Sequence, residues 1–230
     1  MNSYKAVIFD LDGTLLDTLK DIAISANYAL KQCGFEAKNI QSYRYFVGEG
    51  VVRLFENALE DKKPSSQTIH MLVDIFEEYY AKQYAQNTVL YEDISKLLTY
   101  LQAVGFKMAI LSNKPDGFTK KCAYKYLRSW TFEAVYGQRE GVERKPSPQG
   151  AQAIANELSV TCEECLYFGD TSIDMITANN AGMTPIGVLW GFRTRDELIG
   201  TGAKFIVSSP KDAIKLIHTI SHPLKAESFN

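Results

Sequence analysis

The chain has 230 residues, of which 46% are hydrophobic and 23% are charged, and its formal net charge at pH 7 is −2. This length accommodates one large domain with an insertion, and the composition excludes a disordered chain, a collagen-like chain and a small disulfide scaffold. The near-neutral charge provides no global basic field that would attract nucleic acid or an anionic membrane.

No segment has the features of a membrane span or of a secretory signal. No apolar run approaches the roughly 20 residues of a membrane helix. The apolar stretch near the N-terminus breaks at Asp10, before it reaches the length of a signal-peptide core. We therefore expect a cytoplasmic protein that binds neither nucleic acid nor membranes and that is a monomer or a homodimer.

Short apolar runs, separated by helical patterns, predict a parallel sheet. The first run covers residues 4–9 and ends at Asp10. Similar runs follow at 106–111, 165–168 and 185–189, with weaker candidates at 134–136 and 204–207. Residues at helical spacing lie between them, including a predicted helix over 115–127. The alternation predicts an α/β fold in which helices cover both faces of a central parallel sheet.

The stretch between residues 17 and 87 interrupts this alternation. It contains no convincing strand, and its apolar residues have helical spacing at 22–30, 51–59 and 69–84, with predicted loops at 35–50 and 61–66. We therefore predict a helical subdomain at residues 16–87, inserted into a core formed by residues 1–15 and 88–230. It should lie over the carboxyl end of the first strand.

Chemically active residues follow the predicted strands. Residues 10–14 (DLDGT) come after the first strand, 112–114 (SNK) after the second, and 169–174 (GDTSID) at the end of the third. Residues 144–146 (RKP) lie between the second and the third, before a predicted helix. Ligands of open parallel sheets bind at the carboxyl ends of the strands, so we expect these segments to converge.

Convergence would place several carboxylates close together. Two carboxylates about 4 Å apart repel by roughly 4 kcal/mol at an effective dielectric constant near 20, so the cluster requires a cation or protons. Carboxylate oxygens suit Mg²⁺, and a serine and a lysine beside them would complement an anion. This combination favours phosphoryl transfer. Each segment alone has a simpler explanation, such as a turn, a helix cap or a solvated charge.

Together, the four segments resemble the four motifs of the haloacid dehalogenase superfamily, in the same order. The resemblance covers nearly the whole chain. It implies a Rossmann-like three-layer core with a helical cap inserted after the first strand, as the patterns independently predict. It also implies an enzyme that transfers phosphoryl groups.

The resemblance implies a role for each motif residue. Asp10 would be the nucleophile that forms an aspartyl-phosphate, and Asp12 would be the general acid and then the general base. Ser112 and Lys145 would hold phosphoryl oxygens, and Asn113 would join them and support the second loop.

The same resemblance implies a Mg²⁺ site. Asp10, the backbone carbonyl of Asp12, and Asp170 would ligate the ion, and Asp174 would ligate it or orient its surroundings.

Further features resemble one subgroup, the phosphoglycolate phosphatases. Asp12 argues against the dehalogenase branch, whose motif lacks this carboxylate. Residues 47–50 (VGEG) are similar to the cap loop of that subgroup, with Gly48 and Gly50 allowing close approach to a small substrate. The loop alone is equally consistent with a helix-connecting turn. Arg44 and Arg53 flank it and are candidates to bind a substrate carboxylate.

We therefore expect Mg²⁺-dependent hydrolysis of a small phosphorylated metabolite, with 2-phosphoglycolate as the leading substrate. Alternatives on the same machinery are a pyrophosphatase, a nucleotide or sugar phosphatase, and a phosphosugar mutase. A non-enzymatic module that uses the aspartyl-phosphate as a signal is disfavoured, because Asp12 would speed dephosphorylation.

Overall fold

The computed structural model describes residues 4–221, and its central feature is a parallel sheet. The strands are β1 (Ala6–Phe9), β2 (Leu16–Asp17), β3 (Val89–Leu90), β4 (Lys107–Pro115), β5 (Ala134–Gln138), β6 (Cys165–Gly169), β7 (Thr184–Val188) and β8 (Phe205–Val207). The main sheet has the order β5-β4-β1-β6-β7-β8, and every neighbouring pair is parallel. The predicted α/β fold is confirmed, and each of the apolar runs forms a strand.

Helices cover both faces of this sheet, as predicted. They are α1 (Leu19–Gln32), α2 (Tyr43–Phe46), α3 (Val51–Ala58), α4 (Ser66–Gln83), α5 (Ile94–Ala103), α6 (Asp116–Leu127), α7 (Gln149–Glu157), α8 (Ser172–Ala181), α9 (Arg195–Gly200) and α10 (Pro210–Ser221). Successive residues of β1 point to opposite faces. Val7 and Phe9 pack in the layer of α5, α6 and α10, whereas Ala6 and Ile8 pack in the layer of α7 and α8.

Helices α1 to α4, which we call the helical cap, share a hydrophobic core of their own. Its buried members include Ala26, Leu30, Tyr43, Phe55, Leu72 and Phe76. The predicted loop at 35–50 is wrong in part, because it contains α2 and a 3₁₀ helix at Ile40–Ser42. These elements are too short to show a periodicity, and the burial of Tyr43 in the cap core accounts for α2. No helix within residues 4–221 is long and apolar enough to cross a membrane.

A small antiparallel pair lies where the chain leaves and re-enters the core. Leu16 pairs with Leu90 and Asp17 pairs with Val89, so β2 and β3 connect the two linkers of the helical cap. The sequence pattern does not predict this pair, since a two-residue strand has no detectable alternation. Strand β4 also extends through Pro115, so α6 begins at Asp116, one residue later than predicted.

The buried carboxylate of Asp21, in the first turn of α1, connects this helix to the linker that leads back into the core. It accepts hydrogen bonds from the backbone N–H groups of Asn87 at 3.0 Å and Thr88 at 2.8 Å. It also accepts from their side chains, at 2.7 Å from Asn87 and 2.8 Å from Thr88. Burial alone would raise the pKa of Asp21, but these hydrogen bonds outweigh burial and lower the pKa below its ordinary value of 3.8.

We predict that Asp21→Asn lowers the free energy of unfolding by about 2 kcal/mol at neutral pH. The side-chain N–H group of the new asparagine would face the N–H and hydroxyl donors of Asn87 and Thr88 and could not accept from them. The pKa of Asp21 is lower in the folded state than its ordinary value of 3.8. The contribution of Asp21 to the free energy of unfolding is therefore fully present above pH 3.8 and is lost as the pH falls through the folded-state pKa. Urea unfolding at neutral pH and below pH ~4 measures the difference.

The control is Asp61→Asn, which removes a carboxylate with 61% exposure from a surface pair with Lys62. Its unfolding free energy should change by less than about 0.5 kcal/mol. A penalty for Asp21→Asn that stayed constant as the pH fell would contradict the assignment to a charged carboxylate.

Candidate active site

Carboxylates meet at the carboxyl edge of the sheet, on both sides of β1. This strand lies between β4 and β6, so the chain order reverses here and opens a crevice. Asp10 directly follows β1, and its N–H donates to the carbonyl of Phe168 in β6 at 2.9 Å. One oxygen each from Asp10, Asp170 and Asp174 lies within 4.8 Å of the others. The predicted convergence of these three residues is therefore present.

Lys145 forms ion pairs with two of these carboxylates. Its Nζ lies 2.7 Å from Asp10 Oδ1 and 2.7 Å from Asp174 Oδ1, and it also donates to the Leu111 carbonyl at 3.1 Å. Burial raises the pKa of Asp10 to about 7, with Lys145 opposing the shift and the charge of Asp174 adding to it. Burial alone would lower the pKa of Lys145, but both carboxylates raise it well above its ordinary value. Lys145 therefore supplies positive charge between Asp10 and Asp174.

Asp170 is held on both oxygens. The hydroxyl of Thr14 donates to its Oδ1 at 3.0 Å, and the backbone N–H of Phe192 donates to its Oδ2 at 2.8 Å. A Cβ atom at Gly13, where φ is +97°, would overlap this carboxylate, so the close approach requires glycine. Burial and the charges of Asp10 and Asp174 raise the pKa of Asp170 well above its ordinary value. Thr14 and Phe192 thus aim a carboxylate that has no lysine or arginine paired with it within residues 4–221.

The carboxylate oxygens of Asp10, Asp170 and Asp174 fit a hard divalent cation such as Mg²⁺, which prefers such ligands. Asp174 already accepts from the N–H and hydroxyl of Thr171 on Oδ2, at 3.1 and 2.7 Å, and from Lys145 on Oδ1. Asp10 and Asp170 are therefore the better candidates for direct ligation, and Asp174 for orientation. A bound cation would favour the ionised carboxylates and so oppose the raised pKa values of Asp10 and Asp170.

Asp12 pairs with a lysine that has no predicted role. Lys114 Nζ lies 3.1 Å from Asp12 Oδ1 and 3.0 Å from Oδ2. Burial alone would lower the pKa of Lys114, but the Asp12 carboxylate outweighs it and the pKa is raised. Lys114 directly follows Ser112 and Asn113, and this adjacency is the one sequence signal that could have indicated it.

The side chain of Asn113 joins loops and does not reach toward an anion. Its Nδ2 donates to the carbonyls of Gly48 and Lys145, both at 3.0 Å, and its Oδ1 accepts from the Lys145 N–H at 2.9 Å. Both amide hydrogens are in use, so the structure does not support the predicted phosphate contact by this side chain. These hydrogen bonds agree with the predicted role of Asn113 in supporting the second loop. Ser112 Oγ accepts from the Lys114 N–H at 3.3 Å and lines the cavity described next.

A cavity lies between this edge of the sheet and the helical cap. On the core side it is lined by Asp10, Asp12, Ser112, Lys114, Lys145 and Asp174. On the cap side it is lined by Gly48, Gly50, Val51, Leu54, Phe76 and Tyr80. Most predicted site residues therefore surround one space, and the two loop glycines are among them. The lining residues that the cap contributes carry no charge.

Arg44 and Arg53 do not line this cavity. Arg53 is exposed and pairs with Glu56 on its own helix at 2.7 Å, because α3 turns its neighbours Leu54 and Phe55 toward the cap core. Arg44 donates to the carbonyl of Gly191. The structure thus does not support the predicted role of either arginine in binding a substrate carboxylate.

Arg44 and Arg193, which we call the arginine latch, connect the helical cap to the loop after β7. Arg193 donates to the carbonyls of Arg44 and Val47, the latter at 3.0 Å, and Arg44 donates in return to Gly191. The same loop supplies the Phe192 N–H that holds Asp170. No sequence pattern indicates this latch, since both arginines donate to backbone carbonyls.

Comparisons with known proteins agree with this geometry. The family model described as haloacid dehalogenase-like hydrolase matches residues 7–188. A phosphoglycolate phosphatase of Aquifex aeolicus is 32% identical over 93% of this chain and 96% of its own length. One from Vibrio parahaemolyticus is 28% identical, with the same coverage of 93% and 96%. The crystal structure of a provisionally named phosphoglycolate phosphatase from Lactobacillus delbrueckii subsp. bulgaricus superimposes with a TM-score of 0.85, at 31% identity, covering 94% of this chain and 98% of that one.

We predict that Thr14→Val weakens Mg²⁺ binding about 10- to 100-fold, because it removes the hydroxyl that aims Asp170. Thr14→Ser keeps that hydroxyl and should bind Mg²⁺ nearly as the parent protein does. Titration calorimetry with Mg²⁺ measures both affinities. Equal Mg²⁺ affinity in the parent and in Thr14→Val would contradict a role for Thr14 in aiming a metal ligand.

Proposed function

We propose a reaction for this chain, which belongs to the haloacid dehalogenase-like hydrolase family and is a phosphatase: hydrolysis of a small phosphomonoester through an aspartyl-phosphate on Asp10, dependent on Mg²⁺. The observation that carries it is the contact between Asp10 and Lys145 beside two further carboxylates, beneath the helical cap. Asp10, Lys145 and Asp174 line one small space, and Asp170 lies directly beside Asp10 and Asp174.

In the first step, an Asp10 carboxylate oxygen attacks phosphorus and the ester P–O bond breaks. Asp12 gives its proton to the departing oxygen, which leaves as an alcohol. The hydroxyl of Ser112, which lines the cavity beside Asp10, holds a phosphoryl oxygen. Lys145 attracts the phosphoryl oxygens by its charge, since its three N–H groups already donate to Asp10, Asp174 and the Leu111 carbonyl. The product is a phosphorylated Asp10 and an ionised Asp12.

In the second step, water attacks the phosphorus of the aspartyl-phosphate and transfers a proton to Asp12. The bond between phosphorus and Asp10 breaks, which releases inorganic phosphate and restores both carboxyl groups. The helical cap covers the cavity and limits entry of bulk water, so the cap also restricts which leaving groups fit.

Asp10, Asp170 and the backbone carbonyl of Asp12 would hold Mg²⁺, with Asp174 orienting its surroundings. When bound, the ion supplies positive charge to the phosphoryl oxygens in the transition state. The raised pKa values of Asp10 and Asp170, which come from burial and neighbouring carboxylates, support this assignment, since a bound cation would favour the ionised forms.

We propose 2-phosphoglycolate as the substrate. The names of the Aquifex aeolicus and Vibrio parahaemolyticus relatives, which align over 93% of this chain, support this choice. The apolar lining of the cap provides no cation for a carboxylate, so ethyl phosphate, which has the same length without the carboxylate, is the decisive comparison.

We predict that Asp10→Asn lowers phosphate release at least about 10³-fold, because an amide cannot form the acyl phosphate. Phosphate release is measured on 2-phosphoglycolate, ethyl phosphate, pyrophosphate, a nucleotide and a sugar phosphate, with Mg²⁺ and with a chelator. The chelator should abolish turnover, and the Asp61→Asn control should keep it.

Unchanged turnover in Asp10→Asn would contradict the covalent mechanism. Faster turnover of another ester would replace 2-phosphoglycolate as the substrate. Isomerisation of a sugar phosphate without phosphate release would indicate a mutase.

The arginine latch gives a second prediction. Arg193→Met removes the donors that hold the carbonyls of Arg44 and Val47, so the loop at residues 47–50 is held less firmly beside the cavity. We expect kcat/KM to fall at least about tenfold, since hydrogen bonds from a charged donor contribute about 1.5–3 kcal/mol each. The control is Arg195→Met, which removes an exposed arginine two residues further on. Equal kcat/KM in the parent and Arg193→Met would argue against the latch.

A further inference from the structure

We propose that Lys114 is a positioning residue for this reaction, because it fixes the carboxylate of Asp12 beside the leaving-group oxygen. The proposal rests on the proposed function above, in which Asp12 is the general acid and base. It adds a second lysine whose effect on the reaction passes entirely through another side chain.

Lys114 contacts both oxygens of the Asp12 carboxylate. The distances from Nζ are 3.1 Å to Oδ1 and 3.0 Å to Oδ2, and the two side chains are only 5% and 11% exposed. A carboxylate held on both oxygens cannot rotate freely about its last side-chain bond. The orientation of Asp12 is therefore set by the position of Nζ.

Lys114 is itself fixed from two sides. Its backbone lies at the end of β4, where its N–H donates to Ser112 Oγ at 3.3 Å and its carbonyl accepts from Thr119 Oγ1 at 3.1 Å. Its ammonium group lies 4.7 Å from the centre of the Tyr80 ring, which belongs to α4 of the helical cap. The ring of Phe118 packs against that ring in a T-shaped arrangement, with 5.1 Å between centroids. A helix of the cap therefore helps to position Lys114, and Lys114 in turn positions the carboxylate of Asp12.

Each carboxylate of the site has its own anchor. Lys145 holds Asp10, Thr14 and the Phe192 N–H hold Asp170, and Thr171 holds Asp174. Within residues 4–221, the hydrogen bonds to the Asp12 carboxylate come from Lys114 alone. Removal of this lysine would therefore leave Asp12 without a fixed orientation, whereas the other carboxylates would keep theirs.

The two steps of the reaction respond differently to a misplaced Asp12. In the first step, the breaking P–O bond leaves its electron pair on oxygen, and an alkoxide requires the proton of Asp12. A p-nitrophenolate ion leaves without that proton. In the second step, the attacking water must lose a proton to Asp12 for every substrate, because the aspartyl-phosphate is the same.

Lys114→Met keeps the length of the side chain and removes its charge. With ethyl phosphate, we expect formation of the phosphoenzyme to slow by about 100-fold, the order of general acid catalysis. With p-nitrophenyl phosphate, the first step should slow by less than about threefold, whereas hydrolysis of the phosphoenzyme should slow more. Nitrophenolate should therefore appear in a burst, and phosphoenzyme should accumulate in acid-quenched samples.

The matched control is Lys120→Met, which removes an exposed lysine that pairs with the half-buried Asp116 at 2.7 Å. It should show parent rates and no accumulation. Lys114→Gln, which can still donate to one oxygen of Asp12, should give a smaller effect. It replaces Lys114→Met as the test variant if circular dichroism shows that Lys114→Met does not fold. In an Asp12→Asn background, Lys114→Met should have no further effect on the burst.

Equal slowing of the first step with both leaving groups would overturn the proposal, since it would indicate a general structural role. A further loss in the Asp12→Asn background would also overturn it. Failure of the proposed function has a different signature, namely that the unmodified protein with Mg²⁺ forms no phosphoenzyme from either ester.

Discussion

The burial of several carboxylates at one edge of a parallel sheet is the constraint on which the rest of this structure depends. Four aspartates at this edge face two lysines within residues 4–221, Lys114 and Lys145. Buried charges need hydrogen bonds or counter-charges. The lysines and the donors on Asp170 meet part of this need, and a bound divalent cation would meet the rest.

The groups that hold these charges also connect the core to the helical cap. Asn113 donates to the Gly48 carbonyl, the ammonium group of Lys114 faces the Tyr80 ring, and Arg193 donates to the Val47 carbonyl. The position of the cap and the arrangement of charged groups below it are therefore set by the same contacts. Movement of the cap would break contacts that also order the site.

The core motifs are predictable from the sequence because each follows a buried apolar strand. The carboxyl ends of parallel strands meet at one edge whatever the details of packing, so Asp10, Asp170 and Asp174 converge as expected. The cap residues are less predictable. Arg44 and Arg53 flank a glycine loop in the sequence, but one donates to a distant backbone carbonyl and the other lies on the outer side of α3. Sequence proximity does not specify the direction of a side chain.

The sequence by itself determined the α/β architecture, the helical segment after the first strand, and the motif residues, because these depend on local periodicity and on order along the chain. Only the tertiary structure decided which partner each side chain has. Lys114 meets Asp12 across 102 residues, Thr14 meets Asp170 across 156, and Asp21 joins Thr88 across 67. Such pairs depend on how β1, β4 and the helical cap pack in three dimensions, and no local pattern encodes that packing.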